Sequence, residues 1–380
     1  MKILHVIATL DRKQGGPPPV VTGMCAALAA RGHEVTLYAN ESAEPYLAAT
    51  ASPFELAYFP VDWAPYQISW AMAQKLRDLR HFDIVHSHML YRFPQAIAAH
   101  QARRQGISYC VQPHGALSPT VYNGKRWLGR AAYVAAIERR NIQKAAGVIF
   151  TAQQELVWAS ELGLTPPYPF VVPVGADIMA LSRPADGAAF RARYGLGGSK
   201  VVLWMGRLVA SKGVDLLISA FAQAAKDVPD MVLVLAGPDT SNCRKSLENL
   251  ATALDIDERL VFTGMIEGEE KQQSFCAANL FAFPSESENF GLAALEAMAV
   301  GTPALLSPGV SIAADVAALG AGLVVQRDVP SWAAAIKKVM IDDACRAAMS
   351  DAAKQAAWRY DWSSVVGTLE DAYRIMLERS

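Results

Sequence analysis

Two acidic residues near the end of the chain offer the first chemical signal. Glu288 and Glu296 flank the junction between a polar loop, Ser285 to Asn289, and a run of helix formers from Gly291 to Val300. Gly301, Thr302 and Pro303 stop that run. Its residues are apolar nearly all round, so the helix belongs in a core, and a carboxylate inside it needs a partner. A helix start also presents unpaired N–H groups and the positive end of a dipole, which suits an anion such as phosphate. A second pair, Arg207 and Lys212, follows another apolar run, Val201 to Met205. Two cations in the loop after a strand match a diphosphate, with Arg binding bidentately and Lys as a point charge. Together the two pairs describe a site for an anionic, hydroxyl-rich ligand.

Placing these residues requires strands that end at the site. Apolar runs alternate with helical patterns along the chain, beginning with Ile3 to Ala8. Short, continuous runs of that kind are typical of central parallel strands. The alternation occurs in two blocks of similar size. They are separated by the stretch richest in Pro and Gly, Pro166-Pro167-Tyr168-Pro169 through Pro173-Val174-Gly175. The expected fold is α/β: two Rossmann-like domains, each a doubly wound parallel sheet covered by helices on both faces. The expected domains are residues 1–174 and 175–361, with 362–380 as a final helix. Ligands of such sheets sit at the carboxyl ends of the strands, and two facing domains put the best pocket in the cleft between them.

The composition narrows the class. The chain has 380 residues and a net charge of −1, which argues against a nucleic-acid partner. Residues 1–174 carry 16 Lys+Arg against 11 Asp+Glu, so the remainder is acidic, and the two halves suit different partners. No apolar run reaches the roughly 18 residues of a membrane helix. The start, Met1 to Ala8, reads as a strand rather than a signal peptide. Five scattered cysteines without a CxxC pair imply a reducing compartment and neither disulfides nor a zinc cluster.

Gly206-Arg207-Leu208 with Lys212-Gly213, followed by Glu288 and Glu296 with seven residues between them and Ala297-Met298-Ala299-Val300-Gly301-Thr302-Pro303, resembles the retaining glycosyltransferases of family 4. The resemblance covers essentially the whole chain and implies the GT-B architecture. It implies a hexosyltransferase that moves sugar from a nucleotide-diphosphate donor to a hydroxyl of a glycan or lipid-linked acceptor, with no metal and no other cofactor. Polysaccharide or glycolipid biosynthesis in a bacterial cytoplasm is the expected setting. Arg207 and Lys212 would clamp the diphosphate, Glu296 the ribose hydroxyls and Glu288 the hexose. The amides of Asn289, Phe290, Gly291 and Leu292 would face sugar or phosphate. From the first domain, His114 would reach the donor sugar, and Gly15 and Gly16 would let backbone approach it; the three prolines at 17–19 depart from the family pattern. His86 and His88 share one side of a short strand, either lining the acceptor side or serving a buried structural role. The helix led by Trp362 would cross back onto the first domain. Lys125, Arg126, Arg130, Arg139, Arg140 and Lys144, with Trp127, Leu128 and Tyr133, form a basic-aromatic region suited to the anionic inner face of a membrane. The alternatives are a nucleotide-sugar epimerase or phosphorylase on the same architecture, or a non-catalytic protein that binds nucleotide sugar or glycan.

Overall fold

The computed structural model describes residues 1–122, 127–183 and 185–379. The chain divides into two compact units, Met1–Ala176 with Tyr360–Ser380, and Asp177–Arg359. The first is built on seven strands: β1 (Lys2–Thr9), β2 (Glu34–Asn40), β3 (Glu55–Phe59), β4 (Ile84–His88), β5 (Ser108–Gln112), β6 (Gly147–Phe150) and β7 (Pro169–Val171). Their spatial order is β3-β2-β1-β4-β5-β6-β7, and every pairing is parallel. The second unit carries β8 (Lys200–Met205), β9 (Met231–Ala236), β10 (Leu260–Gly264), β11 (Leu280–Phe283), β12 (Ala304–Leu306) and β13 (Gly322–Val324). Their order is β10-β9-β8-β11-β12-β13, again all parallel. In both sheets the strand order reverses beside the unit's first strand.

The continuous apolar runs follow from burial on both faces. In β1, Ile3 and Ile7 join a core with Val21, Met24, Val365 and Tyr373, while Leu4 and Val6 join a second core with Leu76, Val85 and Ala98. Alternate side chains of one strand thus feed opposite cores. The prolines at 17–19 have a local explanation. They fill the first three positions of the helix Pro17–Ala30, where a backbone N–H has no intrahelical acceptor anyway.

Two expected helices are shorter or less regular than their patterns suggest. The segment 68–79 is helical only over Trp70–Lys75, capped by the Ser69 hydroxyl. The segment 127–144 is not a uniform α-helix: it passes from Trp127–Tyr133 through a π turn, Val134–Glu138, into Arg139–Gln143. The wide turn brings in Glu138, a buried carboxylate that accepts from the Tyr91 amide and the Asn141 side chain. Lys125 and Arg126 of the basic region lie outside the described residues, as do the side chains of Trp127, Leu128 and Arg130.

The last helix, Trp362–Glu378, belongs to the first unit. Its Glu370 is almost fully buried. It accepts two hydrogen bonds from Arg31, at 2.7 and 2.8 Å, and lies 2.9 Å from His33 Nε2. The Arg31 hydrogen bonds hold the Glu370 carboxyl below its ordinary range. Trp362 packs flat against backbone: a Cβ built on Gly175 would lie 2.4 Å from the indole, and one on Gly23 2.5 Å. A rigid ring against backbone cannot yield. Gly175→Ala is therefore expected to destabilise the chain by about 1–3 kcal/mol, read as a lower thermal midpoint. Gly367, inside the same helix, faces open space, so Gly367→Ala is expected to leave stability unchanged or raise it by about 0.5–1 kcal/mol. Equal midpoints for the two variants would contradict this packing.

Candidate active site

In the second unit the predicted cations and carboxylates lie at the carboxyl ends of neighbouring strands. β8 ends at Met205 and β11 at Phe283. The loop after β8 is drawn along the end of β9: Gly206 N–H donates to the Ala236 carbonyl and Leu208 N–H to that of Pro238. Only glycine fits at 237, because a Cβ there would lie 1.8 Å from the Gly206 carbonyl oxygen. Leu208 is buried and acts as an anchor, while Arg207 beside it is exposed. Among the described residues no carboxylate pairs with Arg207. Gly213 closes the loop in the left-handed region, φ 67°, with the Pro284 carbonyl 2.5 Å from where a Cβ would be.

Lys212 reaches across to the loop after β11. Its ammonium forms a short ion pair with Glu288, lies 3.4 Å from Ser285 Oγ, and sits 5.5 Å from the centre of the Phe283 ring. The two loops are also joined through backbone, since Glu286 N–H donates to the Ser211 carbonyl at 2.8 Å. Glu288 is held from its other side. Its N–H donates to the Gly309 carbonyl, and its own carbonyl accepts from the Ser311 N–H and hydroxyl. The carboxylate is therefore delivered by a braced loop.

Gly291 turns the chain, at φ 101°, into the helix Leu292–Ala299. Leu292 is half-buried at its first position, and Phe290 just before it is buried. Glu296 stands on the less buried side of that helix. The helix buries Ala294, Leu295, Ala297, Met298 and Ala299. The partner that the sequence demanded for Glu296 is Lys271, 2.7 Å away on the helix Gly268–Ala277. Sequence analysis missed Lys271, which stands 25 residues away with no motif around it. Lys212, Glu288 and the loop 285–291 are thus joined by direct contacts; Arg207 lies on the same loop as Lys212 after β8, and Glu296 stands one to two turns along the helix.

In the first unit, Gly15 and Gly16 are exposed after β1, and Gly16 caps the helix Pro17–Ala30. His114 follows β5 with φ 52°, a left-handed conformation unusual for a residue with a side chain, and Gly115 follows with φ 79°. Glu155 keeps this turn in place. Fully buried, it accepts a short hydrogen bond from the Gly115 N–H and two more from Thr151, N–H at 2.9 Å and hydroxyl at 3.0 Å. Burial pushes the Glu155 carboxyl up. Nothing in the sequence around Glu155 marks it as a brace for a turn 40 residues earlier.

His114 is also the end of a row of imidazoles. His114 Nε2 lies 2.9 Å from His88 Nδ1, and His88 Nε2 lies 2.8 Å from His5 Nδ1. His86, in register with His5 on the neighbouring strand, has its Nδ1 2.7 Å from the Tyr373 hydroxyl. His5, His86 and His88 are fully buried, so the structural reading of His86 and His88 is the correct one. Burial depresses the basicity of all four: His5 and His114 fall to about 3, and His86 and His88 well below the ordinary value.

Comparison with known families covers both units. Residues 15–175 match the glycosyl transferase 4-like domain, and residues 188–356 match the glycosyl transferases group 1. The chain belongs to the group 1 glycosyltransferases. Among curated relatives of this family member is a D-inositol 3-phosphate glycosyltransferase of Corynebacterium urealyticum. It is 38% identical over 54% of this chain and 50% of its own length, so the match spans only half of that relative. The protein of the same name from Kineococcus radiotolerans is 28% identical over 95% of this chain and 90% of its own. Among solved structures, Anabaena Alr3699/HepE in complex with UDP and glucose superposes with a TM-score of 0.80 at 20% identity, covering 98% of each chain. Sucrose-phosphate synthase from Thermosynechococcus elongatus gives 0.79 at 21%, covering all of both. The group 1 glycosyltransferase thus has the GT-B fold of two Rossmann-like α/β units.

The neutral imidazoles give the chain an acid limit. Their folded affinity for protons is below the unfolded value of about 6.5. As pH falls through 6.5 the unfolded chain takes up protons that the folded chain refuses. Stability is then lost at up to about 1.4 kcal/mol per pH unit for each histidine. The urea midpoint is expected to be clearly lower at pH 5 than at pH 7.5. An unchanged midpoint would mean that the cluster accepts protons while folded.

Proposed function

We propose that the chain transfers a hexose from a nucleoside-diphosphate sugar to an acceptor hydroxyl with retention at the anomeric carbon. The observation that carries the reading is the Lys212–Glu288 ion pair at the carboxyl ends of β8 and β11, with the exposed Arg207 on the same loop as Lys212. An ion pair of this kind holds a cation and a hydrogen-bond acceptor in place before a ligand arrives, and preorganised charge is what a transition state gains from. Arg207 and Lys212 neutralise the departing diphosphate. Glu288 accepts from hexose hydroxyls, and Glu296, already oriented by Lys271, from the ribose. The amides at Asn289 to Leu292 meet the sugar or phosphate. Gly15, Gly16 and His114 are the first unit's contribution on the sugar side.

In the reaction, the bond from the anomeric carbon to the diphosphate oxygen breaks and a bond to the acceptor oxygen forms on the same face. The acceptor's proton passes to the departing phosphate. Two protein cations supply the charge that a metal would otherwise provide. The acceptor is a glycan or lipid-linked glycan, which would place the reaction in polysaccharide or glycolipid assembly at the cytoplasmic face of a membrane. Exposed Arg140 and Lys144 suit such a surface, and no described helix is long and apolar enough to cross it. The UDP and glucose bound to Alr3699/HepE make UDP-glucose the first donor to try.

The tests begin with a thermal-shift screen of nucleoside diphosphates and nucleotide sugars. A ligand at one hundred times its dissociation constant adds about 2.7 kcal/mol. With the donor so found, Lys212→Ala and Glu288→Ala are each expected to lower turnover about 10²-fold or more, and excess EDTA to leave it unchanged. Near wild-type rates in both variants would reject the assignment. Epimerised nucleotide sugar or sugar phosphate as product would replace it with the epimerase or phosphorylase reading. Binding without any turnover would support a non-catalytic protein.

A further inference from the structure

The row of imidazoles invites two explanations. His5, His86 and His88 stand close enough together to hold a metal ion. Yet His88 has both nitrogens engaged, Nε2 with His5 and Nδ1 with His114. Within this cluster, His5 Nε2 and His86 Nε2 are the ring nitrogens buried without a hydrogen-bond partner. A metal would have to break the His88 contacts to gain its third ligand. The geometry is better explained by what three neutral imidazoles in series must do.

A neutral imidazole carries one N–H and one bare nitrogen. Each of the two contacts in the row needs one of each. The proton on His5 therefore dictates that on His88, which dictates that on His114. Two registers satisfy both contacts. In one, every Nε2 is protonated; His5 then buries an N–H without an acceptor, and His114 turns a bare Nδ1 outward. In the other, every Nδ1 is protonated; His5 buries a bare nitrogen, and His114 turns an N–H outward. Orphaned buried N–H groups are the rarer and costlier kind. Burial, joined at His88 by the neighbouring imidazoles, keeps these rings neutral.

We infer that His5 and His88 are positioning residues that lock His114 as the neutral Nδ1–H tautomer, so that it presents a hydrogen-bond donor to an oxygen of the bound sugar. The inference deepens the proposed function and rests on the donor-facing role given there to His114. A donor with no net charge orients a hydroxyl without competing with Arg207 and Lys212 for the diphosphate. The lock begins at His5, in the middle of a core strand and two imidazoles away from any ligand.

The test is the full chain labelled with 15N-histidine, read by long-range 1H–15N spectra between pH 5.5 and 8. Seven histidines can be assigned by single substitution. His5, His88 and His114 are each expected to show one neutral form, protonated at Nδ1, that does not titrate. A proton on His114 Nε2, an averaged His114, or titration of any of the three would overturn the inference. In His5→Leu, with the fold checked by thermal midpoint, His114 is expected to become a mixture of both tautomers. His5→Asn, whose amide can replace the lost N–H, is expected to restore the single form. His114 unchanged in His5→Leu would show that the rings are not coupled. Should His5→Leu fail to fold, the unsubstituted chain and His5→Asn decide. Equimolar zinc is expected to move none of these signals; shifts at His5, His86 and His88 together would replace the lock by a metal site. An equal mixture of tautomers lowers turnover only about two-fold, so the spectra carry the test. They need no nucleotide, so failure of the lock leaves the donor assignment standing, and absence of turnover leaves the lock standing.

Discussion

A parallel strand buried on both faces leaves a charged group nowhere to go except its ends, and ligands of such sheets gather at the carboxyl ends. Both sheets obey this constraint, and the location of the site follows from it. In β8 the residues from Val201 to Trp204 are fully buried, and the first cation, Arg207, comes two residues after the strand stops. In β11 the four residues from Leu280 to Phe283 are buried, and the first partly exposed carboxylates follow after Pro284. Adjacent strands of one sheet end together, so chemistry displaced to their ends is collected in one place. Lys212 and Glu288 are 76 residues apart in sequence and meet because β8 pairs directly with β11.

The histidines of the first unit show how polar groups survive in the middle of strands. His5 and His86 sit in register on neighbouring strands, and His88 follows two residues later on the same face. A carboxylate or ammonium there would remain charged or unsatisfied at a cost of several kcal/mol. An imidazole can give up its charge near neutral pH and still form hydrogen bonds. Burial takes that option for all three. Neutrality has a consequence that charge would not: each ring has one proton to place, so the rings constrain one another. Glu155 illustrates a different solution. It satisfies its carboxylate with two backbone N–H groups and a hydroxyl, and that same satisfaction fixes the turn that carries His114.

Much of this was legible in the sequence because it depends on local patterns. The continuous apolar runs marked the parallel strands, and the glycines and prolines marked the loops at their ends. The stretch from Glu288 to Pro303 and the Gly206–Gly213 loop were sufficient to name the family. The partners were not legible, because each is delivered by tertiary structure from a segment without a pattern of its own. Lys271 reaches Glu296 from another helix, and Glu155 reaches Gly115 across 40 residues. His5 lies in an apolar run where one histidine gives no periodic signal. The wide turn at Val134–Glu138 was hidden for a related reason: good helix formers specify a helix but not whether it bulges to admit a buried Glu138.

The pairing of Glu296 with Lys271 changes the meaning of a partly buried carboxylate in a candidate site. Sequence reasoning treats such a group as a debt that the ligand must settle. Here the carboxylate has its counter-charge already, with Glu296 the more buried member of the pair. A ligand hydroxyl arriving at Glu296 would therefore add a hydrogen bond to a satisfied anion instead of rescuing an unsatisfied one. The same holds for Glu288 with Lys212. Such a site is stable when empty, and its charges are oriented before any ligand arrives. On the function proposed above, binding is then selective: a group that only accepts hydrogen bonds would find no donor at either carboxylate, whereas a sugar, dense in hydroxyl donors, would suit both.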